Sequence, residues 1–336
     1  MTVRSTFPII GVLGAGAWGT ALAVAAGRAG RRAVLWARRP EAAEEIARDG
    51  ANHRYLPGIR LDPVPAPTDD ASDLGACDAV LLAMPAQHLR PAVAMLRPHL
   101  RPGVPVVVCA KGIEIGSGAL MSEVVAVELP SAPLAVLSGP TFAAEVARGL
   151  PTAVAIACRD RALGEALATA LGSRSFRPYW SDDVVGTEIG GAVKNVLAIA
   201  CGIVQGRALG DNARAALITR GLAEIGRLGA ALGARRETLM GLSGLGDLTL
   251  TCTSLQSRNT SLGAALGAGR RLADVLAGRH SVAEGVTTAR AVTALAARLG
   301  VDMPICAAVE AILDRGADID ETVTALTSRP FRPEGE

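Results

Sequence analysis

The sequence predicts an α/β fold in which a doubly wound, mainly parallel sheet is followed by an all-helical C-terminal domain. Two observations predict it. In the first half, short runs that are apolar throughout alternate with helical patterns, which is typical of strands covered by helices on both faces. From about residue 186 onward these runs stop and long helical patterns replace them. We therefore expect an α/β domain over residues 7–185, a helical domain over 186–328 and a flexible tail over 329–336.

The individual elements follow from the same patterns. Residues 9–13 predict a buried strand, a glycine-rich turn follows it, and a helix is expected from about residue 18 to 29. Further apolar runs predict strands at 33–36, 79–83, 105–109, 134–137 and 152–156. In the second half, apolar residues recur at steps of two to four over 212–232, which predicts a long amphipathic helix.

Composition excludes several classes of protein. The chain has 336 residues, of which 50% are apolar and 20% charged, so it can bury a substantial core and is not disordered. Its formal charge of +2 argues against binding to nucleic acid or an anionic membrane. No uncharged apolar stretch reaches the roughly 18 residues of a membrane span, and no signal peptide is evident. The sequence predicts a two-domain cytoplasmic protein.

Cysteine and histidine spacing gives no support for a metal site. The six cysteines occur singly without a CxxC pair, and the four histidines are scattered. Without a secretory signal, free thiols in a reducing cytosol are expected rather than a disulfide framework. We expect no metal cofactor.

The strongest local motif is Gly-Ala-Gly-Ala-Trp-Gly at residues 14–19, which directly follows a predicted strand and opens a helix. In a Rossmann-like domain Gly14 allows the tight turn, Gly16 lets a pyrophosphate approach the backbone, and Gly19 lets helix and strand pack closely. The free N–H groups of the helix N-terminus then face the phosphates. The motif predicts that residues 7–185 bind a dinucleotide.

The end of the second predicted strand indicates which dinucleotide is preferred. An NAD site usually carries a carboxylate here, whereas this chain has Arg38 and Arg39, with no acid before Glu41. An arginine can bind a 2′-phosphate through two parallel hydrogen bonds. NADPH is therefore the expected cofactor, and NADH remains an alternative.

Lysine usage singles out two positions. Only two of the 34 basic residues are lysines, Lys111 and Lys194, and both lie in apolar, glycine-containing segments. A buried lysine can exchange its proton, whereas arginine stays charged in proteins. Surface lysines would more often lie in polar stretches, so we expect a functional role for at least one of the two.

Three features accompany Lys194 in the predicted helical domain. Gly190 and Gly191 lie one turn before Lys194, and they either open a notch for a ligand or allow tight helix packing. Asp247 is a carboxylate among glycines and leucines, which a lysine could neutralise. Ser257, Arg258 and Asn259 together suit a phosphate group, vicinal hydroxyls or an ordinary polar helix start.

Taken together, these segments resemble the bacterial NAD(P)-dependent sn-glycerol-3-phosphate dehydrogenases over almost the whole chain. The resemblance is carried by Gly-Ala-Gly-Ala-Trp-Gly-Thr-Ala-Leu at 14–22, Ala-Lys-Gly at 110–112, Ser-Gly-Pro-Thr-Phe-Ala at 138–143, Gly-Gly-Ala-Val-Lys-Asn-Val at 190–196, Asn-Ala-Arg at 212–214, Ile-Thr-Arg-Gly at 218–221, Gly-Leu-Gly-Asp-Leu at 244–248, Gln-Ser-Arg-Asn at 256–259 and Val-Ala-Glu-Gly at 282–285. It implies interconversion of dihydroxyacetone phosphate and sn-glycerol 3-phosphate for phospholipid synthesis. The chain departs from the family pattern at Ala17, where serine is frequent, and at Thr260 and Ser261, where basic residues are frequent.

The resemblance also implies residue roles. Lys194 is expected to be the general acid/base, with Asp247 orienting it. Substrate contacts are expected from Lys111, Gly139, Thr141, Lys194, Asp247, Ser257, Arg258 and Asn259. Cofactor contacts are expected from Ala17, Trp18, Arg38, Arg39, Tyr55, Lys111, Ala143, Arg258, Val282 and Glu284, beside the three motif glycines.

Two other functions remain open on the sequence. A reductase of β-hydroxy acids could share the lysine and its neighbouring glycines, and a regulatory protein could bind NADPH without turnover. Asp247 and the 257–259 trio argue against the reductase, and the two lysines in apolar segments argue against a pure sensor. The glycine- and alanine-rich helices make a homodimer plausible.

Overall fold

The computed structural model describes residues 7–277, 283–330 and 333. Within them the chain forms eight strands and fifteen α-helices. The strands are β1 (Ile9–Leu13), β2 (Arg32–Trp36), β3 (Ala66–Thr68), β4 (Ala79–Leu82), β5 (Val106–Val108), β6 (Leu134–Ser138), β7 (Thr152–Ala157) and β8 (Phe176–Ser181). The helices that alternate with them are α1 (Ala17–Arg28), α2 (Pro40–Asp49), α3 (Leu89–Leu96), α4 (Met121–Glu128), α5 (Ala143–Arg148) and α6 (Arg161–Leu171).

The second half of the described chain is helical throughout. It begins with α7 (Val184–Gly206) and continues with α8 (Asp211–Ala231), α9 (Arg236–Leu239), a π-helical turn (Leu242–Gly246), α10 (Asp247–Thr253), α11 (Arg258–Gly267), α12 (Leu272–Ala277), α13 (Glu284–Leu299), α14 (Pro304–Asp314) and α15 (Ile319–Thr327). The last strand, β8, ends at Ser181, and the helical part begins with α7 at Val184.

All eight strands belong to one sheet in the order β3-β2-β1-β4-β5-β6-β7-β8, as described for residues 7–277. The first six run parallel, β6 and β7 pair antiparallel, and β7 and β8 are parallel to each other. The order reverses between β1 and β4, and ligands of such sheets bind outside the carboxyl ends of the strands at this switch point. The Rossmann-like prediction is confirmed, and the switch point locates the crevice next to the glycine-rich turn.

The two strands that the sequence patterns did not predict are β3 and β8. Each contains a proline, Pro67 or Pro178, and neither is an apolar run. Both are edge strands, where a missing backbone N–H and polar side chains are tolerated because one edge faces no other strand. The apolar-run criterion detects strands that are buried on both faces, so it misses these two.

Helix α7 forms the centre of the helical domain. Its residues 186–204 are buried, and it crosses α11 so closely that a side chain at Gly202 or Gly263 would meet the backbone of the other helix at 2.1 Å. Within the described residues α7 is long and apolar enough to cross a bilayer, yet 89% of its most apolar window is buried in the protein. Such burial is typical of the core helix of a globular domain. The six cysteines are buried and free, as expected.

Candidate active site

A cleft of about 660 Å³ lies between the carboxyl edge of the sheet and the helical domain. The glycine-rich loop, the end of β2 and the segments after β4, β5 and β6 line one side, and α7, α10, α11 and the start of α13 line the other. Most of the predicted site residues line it: Gly14, Gly16, Ala17, Trp18, Arg38, Arg39, Tyr55, Lys111, Thr141, Ala143, Lys194, Ser257, Arg258, Asn259 and Glu284. The fold thus brings residues from both domains to one site.

The glycine-rich loop has the geometry that a dinucleotide requires. Gly14 has a φ of +116°, which favours glycine, and a side chain there would lie 2.8 Å from the Ala83 carbonyl oxygen. A side chain at Gly19 would meet the Gly14 carbonyl oxygen, so α1 can pack on β1 only through glycine. Gly16 has open space where its side chain would be. The N-terminus of α1 therefore leaves room for a pyrophosphate at its free N–H groups.

An unpartnered polar atom lies in the same wall. The indole Nε1 of Trp18 is buried and has no hydrogen-bond partner among the described residues. Buried polar groups are usually hydrogen-bonded, so an unpaired one in a cleft-lining residue fits a bound ligand that supplies an acceptor. Together with the space at Gly16, this shows that the residues present fit a nicotinamide dinucleotide.

Three charged side chains meet at the deepest part of the helical side. Asp247 is completely buried, and its Oδ1 accepts a hydrogen bond from Lys194 Nζ at 2.5 Å. Its Oδ2 accepts one from Lys111 Nζ at 2.6 Å. The lysine side chains are 7% and 17% exposed respectively, so Lys111 lies nearer to solvent. One carboxylate thereby holds two ammonium groups from different domains beside the cleft.

The remaining donors of the two lysines define what they can bind. Lys194 Nζ also donates to Thr251 Oγ1 at 2.8 Å, and Lys111 Nζ also donates to the Gly139 carbonyl oxygen at 3.1 Å. An ammonium group has three N–H donors, so these contacts leave each lysine one donor for a ligand. The arrangement can therefore present two positively charged donors to an oxygen in the cleft.

Burial also sets the protonation of Lys194. Desolvation lowers the pKa of Lys194 from 10.5 to about 8, although the neighbouring Asp247 carboxylate opposes this shift. The positive charge of Lys111 lowers it further. A pKa near neutrality suits a group that must both donate and accept a proton.

The two glycines before Lys194 serve packing rather than a ligand notch. A side chain at Gly190 would lie 2.4 Å from the Ser243 carbonyl oxygen, so this glycine lets α7 contact the π-helical turn. A side chain at Gly191 would lie 2.6 Å from Ser138 Oγ and 3.5 Å from the Lys111 side chain. Tight packing therefore explains both glycines, because Gly190 lies against the π-helical turn and Gly191 lies against Ser138.

The Ser257–Asn259 segment combines a helix start with cleft lining. Ser257 Oγ accepts a hydrogen bond from the Thr260 N–H and so caps α11. Asn259 Nδ2 donates to Asn195 Oδ1 at 2.9 Å, and its Oδ1 accepts from the Gly285 N–H at 3.0 Å. Arg258 is exposed on the cleft wall. Asn259 thus joins three helices and keeps one amide N–H for a ligand, while Arg258 offers a guanidinium to the cleft.

Glu284 faces these groups from the first residue of α13. Burial raises the pKa of Glu284 to about 7, and the charges of Arg258 and Lys111 and the Ala86 N–H act in the opposite direction. Its Oε2 lies 3.6 Å from the position of a side chain at Gly112. The carboxyl group is therefore held between the two domains, next to the cleft.

Three of the predicted site residues lie elsewhere. Gly19 packs α1 on β1, and Asp247 lies behind the two lysines instead of lining the cleft. Gly139 has a φ of +155° and a side chain there would meet the Val154 Cα at 2.9 Å, so its carbonyl can reach Lys111. Val282 lies outside the described residues. Within the described residues no group of three or more His, Cys, Asp or Glu side chains could hold a metal ion.

Several cleft residues were not predicted. Thr251 bonds Lys194, and Asn195 bonds Asn259. Trp36, Met84, His88, Phe142 and Gln256 also line the cleft. Asn195 and Thr251 stand next to or one turn from predicted residues, so helical spacing from Lys194 and Asp247 could have indicated them. The others carry no signal that distinguishes them from core or loop residues.

A Rossmann-type domain, a cleft at its switch point and a lysine pair held by one buried carboxylate are typical of an NAD(P)-dependent dehydrogenase. Comparison with known proteins identifies which one. The model of the NAD-dependent glycerol-3-phosphate dehydrogenase N-terminus matches residues 9–164, and that of the C-terminus of the same enzymes matches residues 183–324. The chain belongs to the NAD-dependent glycerol-3-phosphate dehydrogenase family.

Individual relatives match this chain over almost its full length. Glycerol-3-phosphate dehydrogenase (NAD(P)+) of Rhodospirillum rubrum is 64% identical over 328 residues, which cover 97% of this chain and 94% of the relative. The enzyme of Caulobacter vibrioides is 56% identical over 98% of this chain and 99% of its own length. The crystal structure of glycerol-3-phosphate dehydrogenase from Coxiella burnetii has a TM-score of 0.92 at 40% identity. The match covers 96% of this chain and 99% of that chain. These findings favour a glycerol-3-phosphate dehydrogenase over the β-hydroxy acid reductase and the regulatory sensor.

Proposed function

We propose that this protein interconverts dihydroxyacetone phosphate and sn-glycerol 3-phosphate, with NADPH as the preferred and NADH as the alternative cofactor. The observation that carries the proposal is the Lys194–Asp247–Lys111 group at the inner end of the cleft. The proposal places the reaction in the cytoplasm, where its product supplies phospholipid synthesis. A homodimer is part of the proposal and can be tested by sedimentation.

The cofactor would lie along the glycine-rich loop, where Gly14, Gly16, Ala17 and Trp18 form one wall and Arg38 with Arg39 marks the adenosine end. Lys111, Ala143 and Glu284 line the same cleft. When bound, the nicotinamide ring supplies or accepts the hydride at C2 of the substrate. The side chains of this protein are proposed to hold the substrate in place and to transfer one proton.

Lys194 is the proposed general acid/base. In the reductive direction its ammonium donates a proton to the C2 oxygen, which gains negative charge as the carbonyl bond is reduced. The products are a C2 hydroxyl group and a neutral amine. In the oxidative direction the neutral amine accepts the hydroxyl proton. Asp247 and Thr251 fix the direction of Nζ, because each accepts one of its hydrogen bonds.

Substrate placement is assigned to the residues around Lys194. Lys111 has one free donor beside that of Lys194 and can bind a substrate oxygen. Arg258 and the remaining N–H of Asn259 are proposed to bind the phosphate, with Ser257 and Thr141 near them on the cleft wall. Binding of the remote phosphate helps to hold the ketone at the correct distance from Lys194.

The direct experiment is a spectrophotometric assay of NADPH oxidation with dihydroxyacetone phosphate. Non-phosphorylated dihydroxyacetone and β-keto acids are the matched controls, because they lack the group that Arg258 is proposed to bind. Turnover with dihydroxyacetone phosphate alone is expected. Tight NADPH binding without oxidation would contradict the proposal, and so would preferential turnover of a keto acid.

The pH dependence should differ in sign between the two directions. Reduction needs the ammonium form of Lys194, whose pKa is about 8, so kcat for reduction should be constant at lower pH and fall as the pH rises through 8. Oxidation needs the neutral amine, so its kcat should rise over the same range. Initial rates at saturating substrate between pH 6 and pH 10 (about two units either side of the pKa) would test this. Profiles with the same slope in both directions would contradict it.

Arg258→Ala should act mainly on substrate binding. Loss of a charge-assisted contact to the phosphate is expected to raise KM for dihydroxyacetone phosphate about 10- to 100-fold. Arg270→Ala is the matched control, since Arg270 follows the same helix but lies outside the cleft lining. An unchanged KM in Arg258→Ala would remove this residue from the proposed phosphate site.

Arg38→Asp should reverse the proposed cofactor preference. The new carboxylate repels a 2′-phosphate but can bind free ribose hydroxyls, so kcat/KM should fall about 100-fold with NADPH and much less with NADH. Arg60→Asp makes the same change of charge outside the cleft lining and should leave both values unchanged. Equal losses with both cofactors in Arg38→Asp would contradict a 2′-phosphate contact.

A further inference from the structure

A tight turn at residues 52–56, hereafter the 52–56 turn, forms part of the wall of the cleft that Arg38 and Arg39 also line. The N–H groups of Tyr55 and Leu56 donate to the Asn52 carbonyl oxygen at 3.3 and 2.8 Å, which closes the turn. Arg54, Tyr55 and Leu56 all line the cleft. The turn therefore adds a wall segment that is separate in sequence from the glycine-rich loop and from the end of β2.

The side chain of Asn52 ties this turn to the glycine-rich loop. The residue is buried, and its Nδ2 donates to the Ala15 carbonyl oxygen at 3.0 Å and to Thr20 Oγ1 at 2.9 Å. Its Oδ1 accepts a hydrogen bond from the Tyr55 N–H at 3.2 Å. Ala15 lies between the two motif glycines Gly14 and Gly16. One side chain thus links the expected pyrophosphate loop, helix α1 and the 52–56 turn.

These contacts require an amide at position 52. Both Nδ2 hydrogens are used by oxygen acceptors, and Oδ1 is used by a backbone donor. An aspartate would keep the acceptor but would set a carboxylate against the Ala15 carbonyl oxygen. A leucine or alanine would leave the buried Thr20 Oγ1 and the Ala15 carbonyl oxygen without this donor. Asn52 therefore fixes the distance between the 52–56 turn and the glycine-rich loop.

Arg54 gives the turn a positive charge. Its guanidinium lies 5.6 Å from the centroid of the Tyr55 ring, which holds it at the cleft by a cation–π contact. Over residues 7–277 and 283–330 no carboxylate lies within ion-pair distance of Arg54, Arg38 or Arg39. Three guanidinium groups with no carboxylate partner in the described chain therefore line one cleft, which is a suitable environment for a doubly charged phosphate.

We propose that the 52–56 turn is a second recognition element for the 2′-phosphate of NADPH, in which Arg54 is a specificity-determining residue and Asn52 is a positioning residue. This inference rests on the proposed preference for NADPH. It adds to Arg38 and Arg39 a contact from a different segment, whose position depends on the same loop that binds the pyrophosphate.

Arg54→Ala tests the specificity role. The ratio of kcat/KM for NADPH to that for NADH is expected to fall about five- to tenfold, through KM for NADPH, because one charge-assisted contact at an exposed site is lost. The values of kcat and of KM for dihydroxyacetone phosphate should stay unchanged. Arg60→Ala removes the same charge from a nearby exposed position outside the cleft and should leave the ratio unchanged. An unaltered ratio in Arg54→Ala would overturn the assignment.

Asn52→Ala tests the positioning role. Because the link to the glycine-rich loop is lost, KM should rise for both NADPH and NADH, about tenfold or more, with kcat at saturating cofactor retained. Thr20→Val removes one of the two Nδ2 acceptors and should give a smaller shift of the same kind. A lower Tm with unchanged cofactor KM in both variants would show a purely structural role and overturn the positioning assignment.

Equilibrium binding to the wild-type protein separates this inference from the proposed cofactor preference. Adenosine 2′,5′-bisphosphate should bind more tightly than AMP, which lacks only the 2′-phosphate, if NADPH is preferred, and Arg54→Ala should reduce the difference. If the wild type discriminates but Arg54→Ala discriminates equally well, the inference fails and the NADPH preference stands. If the wild type does not discriminate, the NADPH preference itself fails, and the role of the 52–56 turn fails with it.

Discussion

Lys194→Ala should lower kcat about 10³-fold while NADPH binding is retained. A general acid contributes about 10²- to 10⁴-fold, and the ammonium also stabilises the charge that develops on the C2 oxygen. The cofactor end of the cleft is formed by other residues, so fluorescence titration should give an NADPH affinity close to that of the wild type. Single-turnover rates with dihydroxyacetone phosphate would measure the effect on the chemical step.

Two further measurements distinguish proton transfer by Lys194 from the effect of its charge and from an effect of the substitution on folding. Lys194→Arg keeps a positive charge but cannot give up its proton, so it should remain about as impaired as the alanine variant. Added methylammonium should partly restore turnover in Lys194→Ala, because a small amine can occupy the space of the missing side chain. Turnover near the wild-type level in Lys194→Ala would show that another group transfers the proton.

Asp247→Asn should lower kcat about 100-fold and move the pH profile of reduction to lower pH. The neutral amide has one acceptor oxygen for two ammonium groups, and its own N–H donors would face one of them. Without the buried carboxylate the pKa of Lys194, already lowered to about 8 by burial, should fall further. At neutral pH less of the enzyme would then hold the proton that reduction requires.

The control for this variant is a second buried aspartate outside the cleft. Asp183 caps α7 by accepting a hydrogen bond from the Gly186 N–H at 2.8 Å, and its other oxygen accepts from the Arg235 N–H. Asp183→Asn should lower Tm and leave the pH dependence of kcat in place. If Asp247→Asn lowers Tm in the same way and leaves the pH profile unchanged, Asp247 has only a structural role.

The sequence predicted the central part of the fold because burial on both faces leaves a clear pattern. The strands β1, β2, β4, β5, β6 and β7 are short apolar runs, and each was predicted within a few residues. The edge strands β3 and β8 were not, since an edge requires neither an apolar run nor a continuous series of N–H donors. An apolar run thus indicates a strand that is buried on both faces, and its absence does not exclude an edge strand.

For the candidate site, the sequence identified the residue types but not their partners. Lys111 and Lys194 were singled out because lysine is otherwise absent, and Asp247 because a carboxylate is unusual among glycines and leucines. The sequence suggested one lysine for Asp247, whereas the structure gives it two. Asn52 was not singled out at all, because an asparagine in a polar loop resembles any turn residue until its three hydrogen bonds are seen.

The amino-acid sequence by itself determined the two-domain α/β and helical organisation, the dinucleotide loop and the three charged residues of the candidate site. Each of these follows from local patterns, in which neighbours along the chain are enough. Only the tertiary structure decided that Asp247 binds both lysines and that Gly191 lets α7 pack against Ser138. Lys111 and Asp247 are 136 residues apart in sequence. Such contacts depend on how the helical domain packs against the sheet, and no local pattern encodes that packing.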